Sequence, residues 1–415
     1  MQVQTKTTDQ VSVIGQDTMY RVLFALGFCH MLNDSIQAVI PAIFPILQQS
    51  MNLTFFQLGL IGFTLNMTAS VLQPVVGLYT DKKPSPYLLP LGMLCTLLGM
   101  LGLAFAPNLI SVLLSVLLVG FGSAVFHPEG SRVANMAAGS RRGLAQSIYQ
   151  VGGNSGQSLA PIMTALIFVP LGQFGAIWFT VVAAIAMVIL LYVASWSKSR
   201  LTLANNLVTQ GKKKEQSPVK KMSAERKKRV VYALILLVFL VFARSWYHAG
   251  ITNFYPFYII DQYGLTVSEA QIYIFLFLAA GALGTFLGGP LADRFGKKTI
   301  ICFSMLGPAP LALLLPHVSQ FWVYPIVLIN GFILLSSFSV AVIYAQDVLP
   351  GRIGMVSGLI IGLAFGMGAI GSVALGGLVD LFGLKTIMVG CGFLPLLGFL
   401  SFLLPSDHKL KELEA

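Results

Sequence analysis

Two short polar stretches interrupt long apolar segments and carry the side chains best suited to chemistry. The first contains His30, Asn33 and Asp34, and the second contains His127 and Glu129. An ionised group is strongly disfavoured in hydrocarbon, so such residues usually face a protein interior or a water-filled cavity. We therefore predict that the two stretches meet inside a helical bundle.

Asp34 is the first candidate for a proton carrier. Removing a carboxylate from water favours its protonated form, which allows it to bind and release protons near neutral pH. His30, Asn33 and Asp34 follow the i, i+3, i+4 pattern of one helix face, so the imidazole and the amide are candidate substrate-binding groups beside the acid. The alternative is a structural carboxylate that His30 or a helix terminus holds permanently.

Glu129 is the second candidate for proton coupling. It precedes Arg132 by three residues, which is a favourable order for an ion pair on a helix. In the functional interpretation Glu129 takes up a proton and thereby frees Arg132, with His127 nearby, to bind an anionic ligand. A structural salt bridge would explain the same spacing.

A third polar stretch lies in the second half of the chain, where Arg244 and His248 are spaced i, i+4 within an apolar segment. A guanidinium group stays charged when it is buried, so Arg244 would suit a phosphate or a carboxylate. The alternative is an ion pair with a carboxylate from another helix. The full set of candidate substrate-binding residues is His30, Asn33, His127, Arg132, Arg244 and His248.

The composition shows which kind of protein carries these residues. Hydrophobic residues make up 56% of the chain and charged residues only 10%, against about 25% charged residues in soluble domains. The net charge of +11 comes from Lys and Arg in short loops and in one central segment. That distribution follows the positive-inside rule, so we expect membrane lipid and no nucleic acid as a partner.

The apolar segments predict an all-α membrane protein with twelve transmembrane helices in two pseudo-symmetric six-helix bundles. Each segment approaches or exceeds the 20 or so residues that a helix needs to cross a bilayer. The charge bias places both termini in the cytoplasm. The predicted domains are a cytoplasmic tail (1–20), an N-terminal six-helix bundle (21–196), a basic cytoplasmic linker (197–229), a C-terminal six-helix bundle (230–404) and a second cytoplasmic tail (405–415).

A loop motif recurs at matching positions of the two halves. Gly77 and Asp81 follow the second predicted span, and Gly289, Asp293 and Arg294 follow the eighth. We predict a conformational latch, in which Gly289 admits a neighbouring helix and Asp293 accepts from a helix N-terminus or from an Arg of the other half. Such duplicated bundles, with a site between the halves, are typical of transporters.

A second repeated pattern consists of glycines spaced by four residues. Gly152 and Gly156 lie in the fifth predicted span, and Gly362 and Gly366 lie in the eleventh. Small residues at this spacing allow helices to pack backbone against backbone. We predict that these four glycines form helix-packing surfaces.

These features resemble the major facilitator superfamily and, within it, the fosmidomycin resistance proteins. The resemblance is carried by His30-x-x-Asn33-Asp34, by Phe126-His127-Pro128-Glu129 and by the string from Leu349 to Gly358. It implies a bacterial inner-membrane exporter of antibiotics, among them a phosphonate such as fosmidomycin. It also implies proton antiport, with the proton as coupling ion and no other cofactor, and we expect a monomer.

One position departs from the wider family pattern, because Gln157 stands where the antiporter motif has Pro. A proton symporter that imports an organic anion therefore remains an alternative to the exporter. A remoter alternative is an intramembrane metal-dependent hydrolase, with His30, Asp34, His127 and Glu129 as ligands. A hydrolase would not require duplicated halves, so we expect a transporter and not an enzyme.

Overall fold

The protein is a bundle of helices whose lengths suit a membrane. The computed structural model describes residues 18–139, 142–209, 224–348 and 353–407, and no β-strand occurs within these ranges. In this part of the chain, ten helices are long and apolar enough to cross a membrane. One of these ten, the stretch from Ile148 to Leu203, has 56 residues and is longer than a single crossing needs. It is interrupted at Gly172, where φ is 61°. The all-α membrane class predicted from the sequence is confirmed.

The helices fall into an N-terminal and a C-terminal half. The N-terminal half contains α1 (Tyr20–Ala42), α2 (Phe44–Met51), α3 (Phe55–Lys82), α4 (Leu88–Ala104), α5 (Leu109–Ala137), α6 (Arg142–Met163), α7 (Val169–Leu171) and α8 (Ala176–Thr209). The C-terminal half contains α9 (Ala224–Ala249), α10 (Tyr255–Tyr263), α11 (Val267–Phe295), α12 (Lys297–Leu306), α13 (Pro308–Leu314), α14 (Gln320–Leu335), α15 (Phe338–Val348), α16 (Ile353–Phe382) and α17 (Leu384–Cys391). Single π-helical turns span Thr164–Phe168 and Gly250–Phe254, and 3₁₀ segments span Gly172–Gly175, Leu315–His317 and Leu394–Leu403.

The first apolar segment of the chain forms two helices, with a break between α1 and α2. Pro41 and Pro45 flank the break, and a proline cannot donate the backbone hydrogen bond that continues a helix. At this break the carbonyl oxygen of Ala42 accepts a hydrogen bond of 3.1 Å from Gln271 Nε2 in the C-terminal half. The break therefore supplies a polar contact between the two halves.

The helices extend into the segment 197–229 that the composition assigns to a linker. Helix α8 continues to Thr209 and α9 starts at Ala224, while residues 210–223 lie outside the described ranges. Lys and Arg have high helix propensities, so a basic composition does not end a helix. Lys198 Nζ, for example, lies 5.8 Å from the centre of the Tyr87 ring. The basic residues mark a change of surroundings along a continuing helix.

The predicted glycine surfaces lie at two helix crossings. A Cβ atom added to Gly152 or Gly156 would overlap backbone atoms of α1, at Gly27 and Met31 respectively. Gly362 and Gly366 face Ser70 of α3, whose hydroxyl donates a 2.6 Å hydrogen bond to the carbonyl of Gly362. The first crossing lies within the N-terminal half and the second joins the two halves.

In the second loop motif the close helix contact is formed by Gly288 and not by Gly289. A Cβ atom at Gly288 would overlap the carbonyl oxygen of Ser336, whereas one at Gly289 would meet nothing within 4 Å. Successive residues of a helix point about 100° apart, so only one of two adjacent glycines can face the neighbouring helix. The prediction that Gly289 admits that helix is wrong by one position.

The other predicted latch residues do not form the expected contacts. Asp293 and Arg294 are exposed. The helix that follows them, α12, is capped by Asp407, whose Oδ2 accepts a 2.8 Å hydrogen bond from the Lys297 amide. Gly77 is only in ordinary contact with Pro128. The side chain of Asp81 lies outside the description.

The two halves are joined at the end of the bundle where α3 begins. The backbone amides of Phe55 and Phe56 donate hydrogen bonds of 2.9 and 2.7 Å to the two carboxylate oxygens of Asp380 in α16. These amides lack partners within their own helix, and a negative charge is favourable at a helix N-terminus. Backbone atoms of Phe55 also press against Gly376. We refer to this region as the Asp380 end.

The two adjacent glycines provide a direct test of the packing in the second half. We expect Gly288→Ala to destabilise the protein by about 1–3 kcal/mol, because its methyl group has no space beside Ser336. Gly289→Ala is the matched control and should leave stability unchanged or slightly raised, since Ala favours helix. The measurement is the apparent thermal midpoint in detergent. Equal midpoints for the two variants would contradict this packing.

Candidate functional site

A cavity of about 330 Å³ lies between the two halves and is lined by residues from both. The wall formed by the N-terminal half includes the conspicuous polar groups of α1, α5 and α6. The wall formed by the C-terminal half includes those of α9 and α11. The main polar lining residues are His30, Asp34, Gln37, Asn66, His127, Tyr149, Gln150, Asn154, Gln157, Arg244, Ser245, His248, Thr252, Asn253 and Thr285.

The N-terminal wall carries a cluster of His30, Asp34 and His127, which we call the proton cluster. Asp34 Oδ1 lies 3.4 Å from His30 Nε2 and 3.9 Å from His127 Nε2. Asp34 Oδ2 accepts a 3.0 Å hydrogen bond from Gln157 Nε2 of α6. The sequence prediction that the two polar stretches meet inside the bundle therefore holds for these three residues.

The hydrogen bonds of His30 define how its ring faces Asp34. His30 Nδ1 lies 2.7 Å from the carbonyl oxygen of Tyr149, and a carbonyl can only accept, so Nδ1 carries a proton. The other nitrogen, Nε2, then faces a carboxylate oxygen. A favourable contact there requires one further proton, on the imidazole or on the acid. The geometry is thus suited to taking up and losing a proton.

The C-terminal wall carries a buried cation, Arg244. Arg244 is 4% exposed, and its Nη1 lies 3.4 Å from the hydroxyl of Ser337. Its guanidinium carbon lies 5.1 Å from the centre of the Phe338 ring. Within the described ranges no carboxylate forms an ion pair with it. His248 lies one helical turn away on the same wall.

Three predicted site residues do not line this cavity. Asn33 is fully buried beside the wall and donates to Asp34 Oδ1 over 3.0 Å. Glu129 and Arg132 form an ion pair at 2.5 Å away from the cavity. His127 does line the cavity, and Glu129 lies about 200° around the same helix from it. Asn33 and Arg132, which the sequence predicts as substrate-binding residues, therefore do not line the cavity in this conformation.

Residues of α6 that the sequence did not single out as site residues complete the proton cluster. Gln157 binds Asp34, and the Tyr149 ring stacks on His30 with the ring centres 4.0 Å apart. A Cβ atom at Gly153 would lie 2.6 Å from His30 Cε1 and 2.8 Å from Asp34 Oδ2, so only glycine fits. The one available signal was the replacement of the antiporter motif's Pro by Gln157.

The ligand atoms of His30, Asp34 and His127 lie within 4.8 Å of one another, which is close enough to share a proton or a cation. Glu129, the fourth ligand of the hydrolase alternative, does not belong to this group. The cluster therefore lacks Glu129, the second acid that the hydrolase alternative requires.

Comparison with known proteins identifies the family of the protein that contains this cavity. The family model of the Major Facilitator Superfamily matches residues 23–364. The chain belongs to the major facilitator superfamily. Within the superfamily it is 60% identical over 396 residues to the "Uncharacterized MFS-type transporter YfnC" of Bacillus subtilis (strain 168), covering 95% of each chain.

A second relative has a more informative name. The chain is 46% identical over 393 residues to the "Fosmidomycin resistance protein" of Escherichia coli (strain K12), covering 94% of this chain and 95% of the relative. Among solved structures, the bacterial homologue of the human lysosomal transporter Spinster, in an inward-facing and unoccupied conformation, matches with a TM-score of 0.71. That match is 18% identical, covers 93% and 96% of the two chains, and shows the fold alone.

Membership of the superfamily gives the protein its general activity. It is a multi-pass membrane transporter and not an enzyme, as expected from the duplicated halves. The hydrolase alternative is thereby set aside. The cavity between the halves is the position at which transporters built from repeated bundles hold their substrates.

The ion pair of Glu129 and Arg132 provides a test of a structural role. We expect Glu129→Gln to lower the thermal midpoint, because it leaves the Arg132 guanidinium without its counter-charge. The cost should remain below the roughly 3 kcal/mol of a fully buried pair, since the Arg132 side chain is 23% exposed. The double variant Glu129→Gln/Arg132→Gln should recover part of the loss. A Glu129→Gln protein with unchanged stability and lost proton coupling would instead assign Glu129 to transport.

Proposed function

We propose that this protein exports a small anionic molecule, of which a phosphonate such as fosmidomycin is the model, in exchange for protons. The observation that carries the proposal is Arg244, a buried cation on the cavity wall without a carboxylate partner in the described structure. The proton cluster on the other wall supplies the coupling site. The relative whose name refers to fosmidomycin resistance supports the choice of substrate and of direction.

Arg244 would bind the anionic group of the substrate. An isolated charge in a low-dielectric interior is costly unless a counter-charge or hydrogen bonds compensate it. Ser337 and the face of Phe338 compensate the guanidinium only in part. A phosphonate offers oxygens that match the fork of N–H donors. His248, one turn away, could donate a further hydrogen bond to the same group.

The direction of opening follows from the charge distribution and the contacts between the halves. The positive-inside rule places the Asp380 end on the outer side of the membrane. At that end Asp380 binds the first amides of α3, and Gln271 binds the carbonyl of Ala42. We therefore interpret this conformation as closed toward the outside. Transport requires these contacts to break while the halves rock about the central cavity.

Asp34 is the residue that we assign to proton coupling. It lines the cavity, and its carboxylate contacts two imidazoles whose protonation can change with it. Glu129 is a weaker candidate because its carboxylate is paired with Arg132 outside the cavity. In the cycle that we propose, protons enter the cluster from the outer side, reset the transporter and leave on the inner side.

Proton-coupled import of an organic anion is the second candidate. Protonation of the cluster adds positive charge to the cavity, which favours the binding of an anion by simple electrostatics. The two candidates differ in the response of inside-out vesicles with an acidic lumen. An exchanger accumulates fosmidomycin in such vesicles, whereas a symporter empties them.

The first test concerns Arg244. We expect Arg244→Gln to lower the affinity for fosmidomycin by roughly 100-fold, and Arg244→Lys by about tenfold, because lysine keeps the charge but lacks the planar fork. Binding of the radiolabelled compound to the purified protein measures both changes. Arg21→Gln, at the exposed start of α1, is the matched control and should bind as the wild type does. Wild-type affinity in Arg244→Gln would remove this residue as the anion site.

The second test concerns Asp34. We expect Asp34→Asn to abolish accumulation driven by a pH gradient, because the amide cannot carry a proton through the cycle. Exchange of labelled for unlabelled fosmidomycin at saturating concentration, without a gradient, should persist. Asp261→Asn, which replaces an exposed carboxylate on α10, is the control and should retain both activities. Full gradient-driven accumulation by Asp34→Asn would rule out Asp34 as the carrier.

A further inference from the structure

The cavity contains two opposite charges that do not pair with each other. Asp34 belongs to the N-terminal wall and Arg244 to the C-terminal wall, and no ion pair joins them in the described structure. Asp34 contacts His30, His127 and two amide groups, while Arg244 contacts Ser337 and Phe338. A ligand in this space therefore meets an acceptor on one side and a cationic donor on the other.

We propose that the transported molecule has two functional ends. Its anionic end binds Arg244, and a hydrogen-bond donor, such as a hydroxyl or an N–H group, binds the deprotonated proton cluster. This inference rests on the proposed function and defines the substrate class more narrowly. A simple anion would use only one of the two walls.

The donor end determines the sign of the coupling. When the cluster is deprotonated, a carboxylate oxygen or an imidazole lone pair is available to accept from the ligand. A proton that enters the cluster occupies the same acceptor, so proton and donor compete. Competition for one site gives exchange. A simple anion, in contrast, is bound more tightly by the protonated and hence more positive cavity, which gives cotransport.

Contact decides which of the two effects is larger. The donor would touch the cluster directly, and a hydrogen bond to an ionised group is stronger than one between neutral groups. The anionic end would interact with the cluster only from the other wall of the cavity, over a longer distance. We therefore expect a ligand with both ends to displace a proton, although it also carries a negative charge.

Two sulfonates of equal size separate these effects. Butane-1-sulfonate and 3-hydroxypropane-1-sulfonate differ only in a terminal methyl or hydroxyl group. Both remain ionised at every pH used, so any proton exchanged belongs to the protein. The experiment measures binding to the full-length protein in weakly buffered detergent solution, with a pH indicator recording proton uptake or release.

We expect the hydroxyl compound to bind about tenfold more tightly than its partner at pH 8. Butane-1-sulfonate should bind more tightly at pH 6 than at pH 8. At an intermediate pH, where the cluster is partly protonated, binding of the hydroxyl compound should release protons and binding of butane-1-sulfonate should take them up. In Asp34→Asn neither compound should exchange protons, and their affinities should lie within about threefold. The amide that replaces the carboxylate is a neutral and weaker acceptor. Binding of the two sulfonates to Asp34→Asn therefore also shows that this variant is folded.

The outcomes separate this inference from the proposed function. If both sulfonates bind, lose affinity in Arg244→Gln and exchange protons equally and with the same sign, the anion site stands and the two-ended ligand is refuted. If neither sulfonate binds to the wild type, the anion site fails and this inference fails with it.

Discussion

The high cost of leaving a charge unpaired in an apolar interior is the constraint on which the structure depends. The protein meets it in two ways. Glu129 and Arg132 satisfy each other outside the cavity, whereas Asp34 and Arg244 face the same cavity without pairing. Arg244 is compensated only in part, by a hydroxyl and an aromatic ring, whereas two imidazoles and two amides surround Asp34. The cavity therefore offers space for a ligand next to a charge that the ligand can compensate. Glu129 and Arg132 already compensate each other.

The packing of the helices explains why the proton cluster has its shape. Backbone contacts of Gly152 and Gly156 bring α6 close against α1. At this separation Gly153 leaves just enough room for the His30 ring and the Asp34 carboxylate, and Gln157 reaches the same carboxylate. The small residues that allow two helices to touch therefore also determine the distances within the site. A rearrangement of α6 would change the surroundings of Asp34 directly.

The sequence alone predicts the membrane class. It also predicts cavity-lining residues that lie one helical turn apart on the same face of a helix, such as Arg244 and His248. Sequence patterns are insufficient where a prediction depends on how a helix is rotated about its own axis. The polar stretch groups Glu129 with His127, although two residues along a helix correspond to about 200°, and the loop motif points to Gly289, although Gly288 makes the helix contact. Gln157 could not have been found by periodicity, because its role depends on the distance between two helices.

The contacts between the halves combine close backbone packing with hydrogen bonds that water can replace. Carbonyl groups lie directly against glycines within the N-terminal half and also between the halves, where the Phe55 carbonyl faces Gly376. At the Asp380 end, a carboxylate binds two amides that have no partners in their own helix. Water can replace that carboxylate when the end opens, so neither the acid nor the amides are left unsatisfied. The hydrogen bonds at the Asp380 end are therefore ones whose loss solvent can compensate.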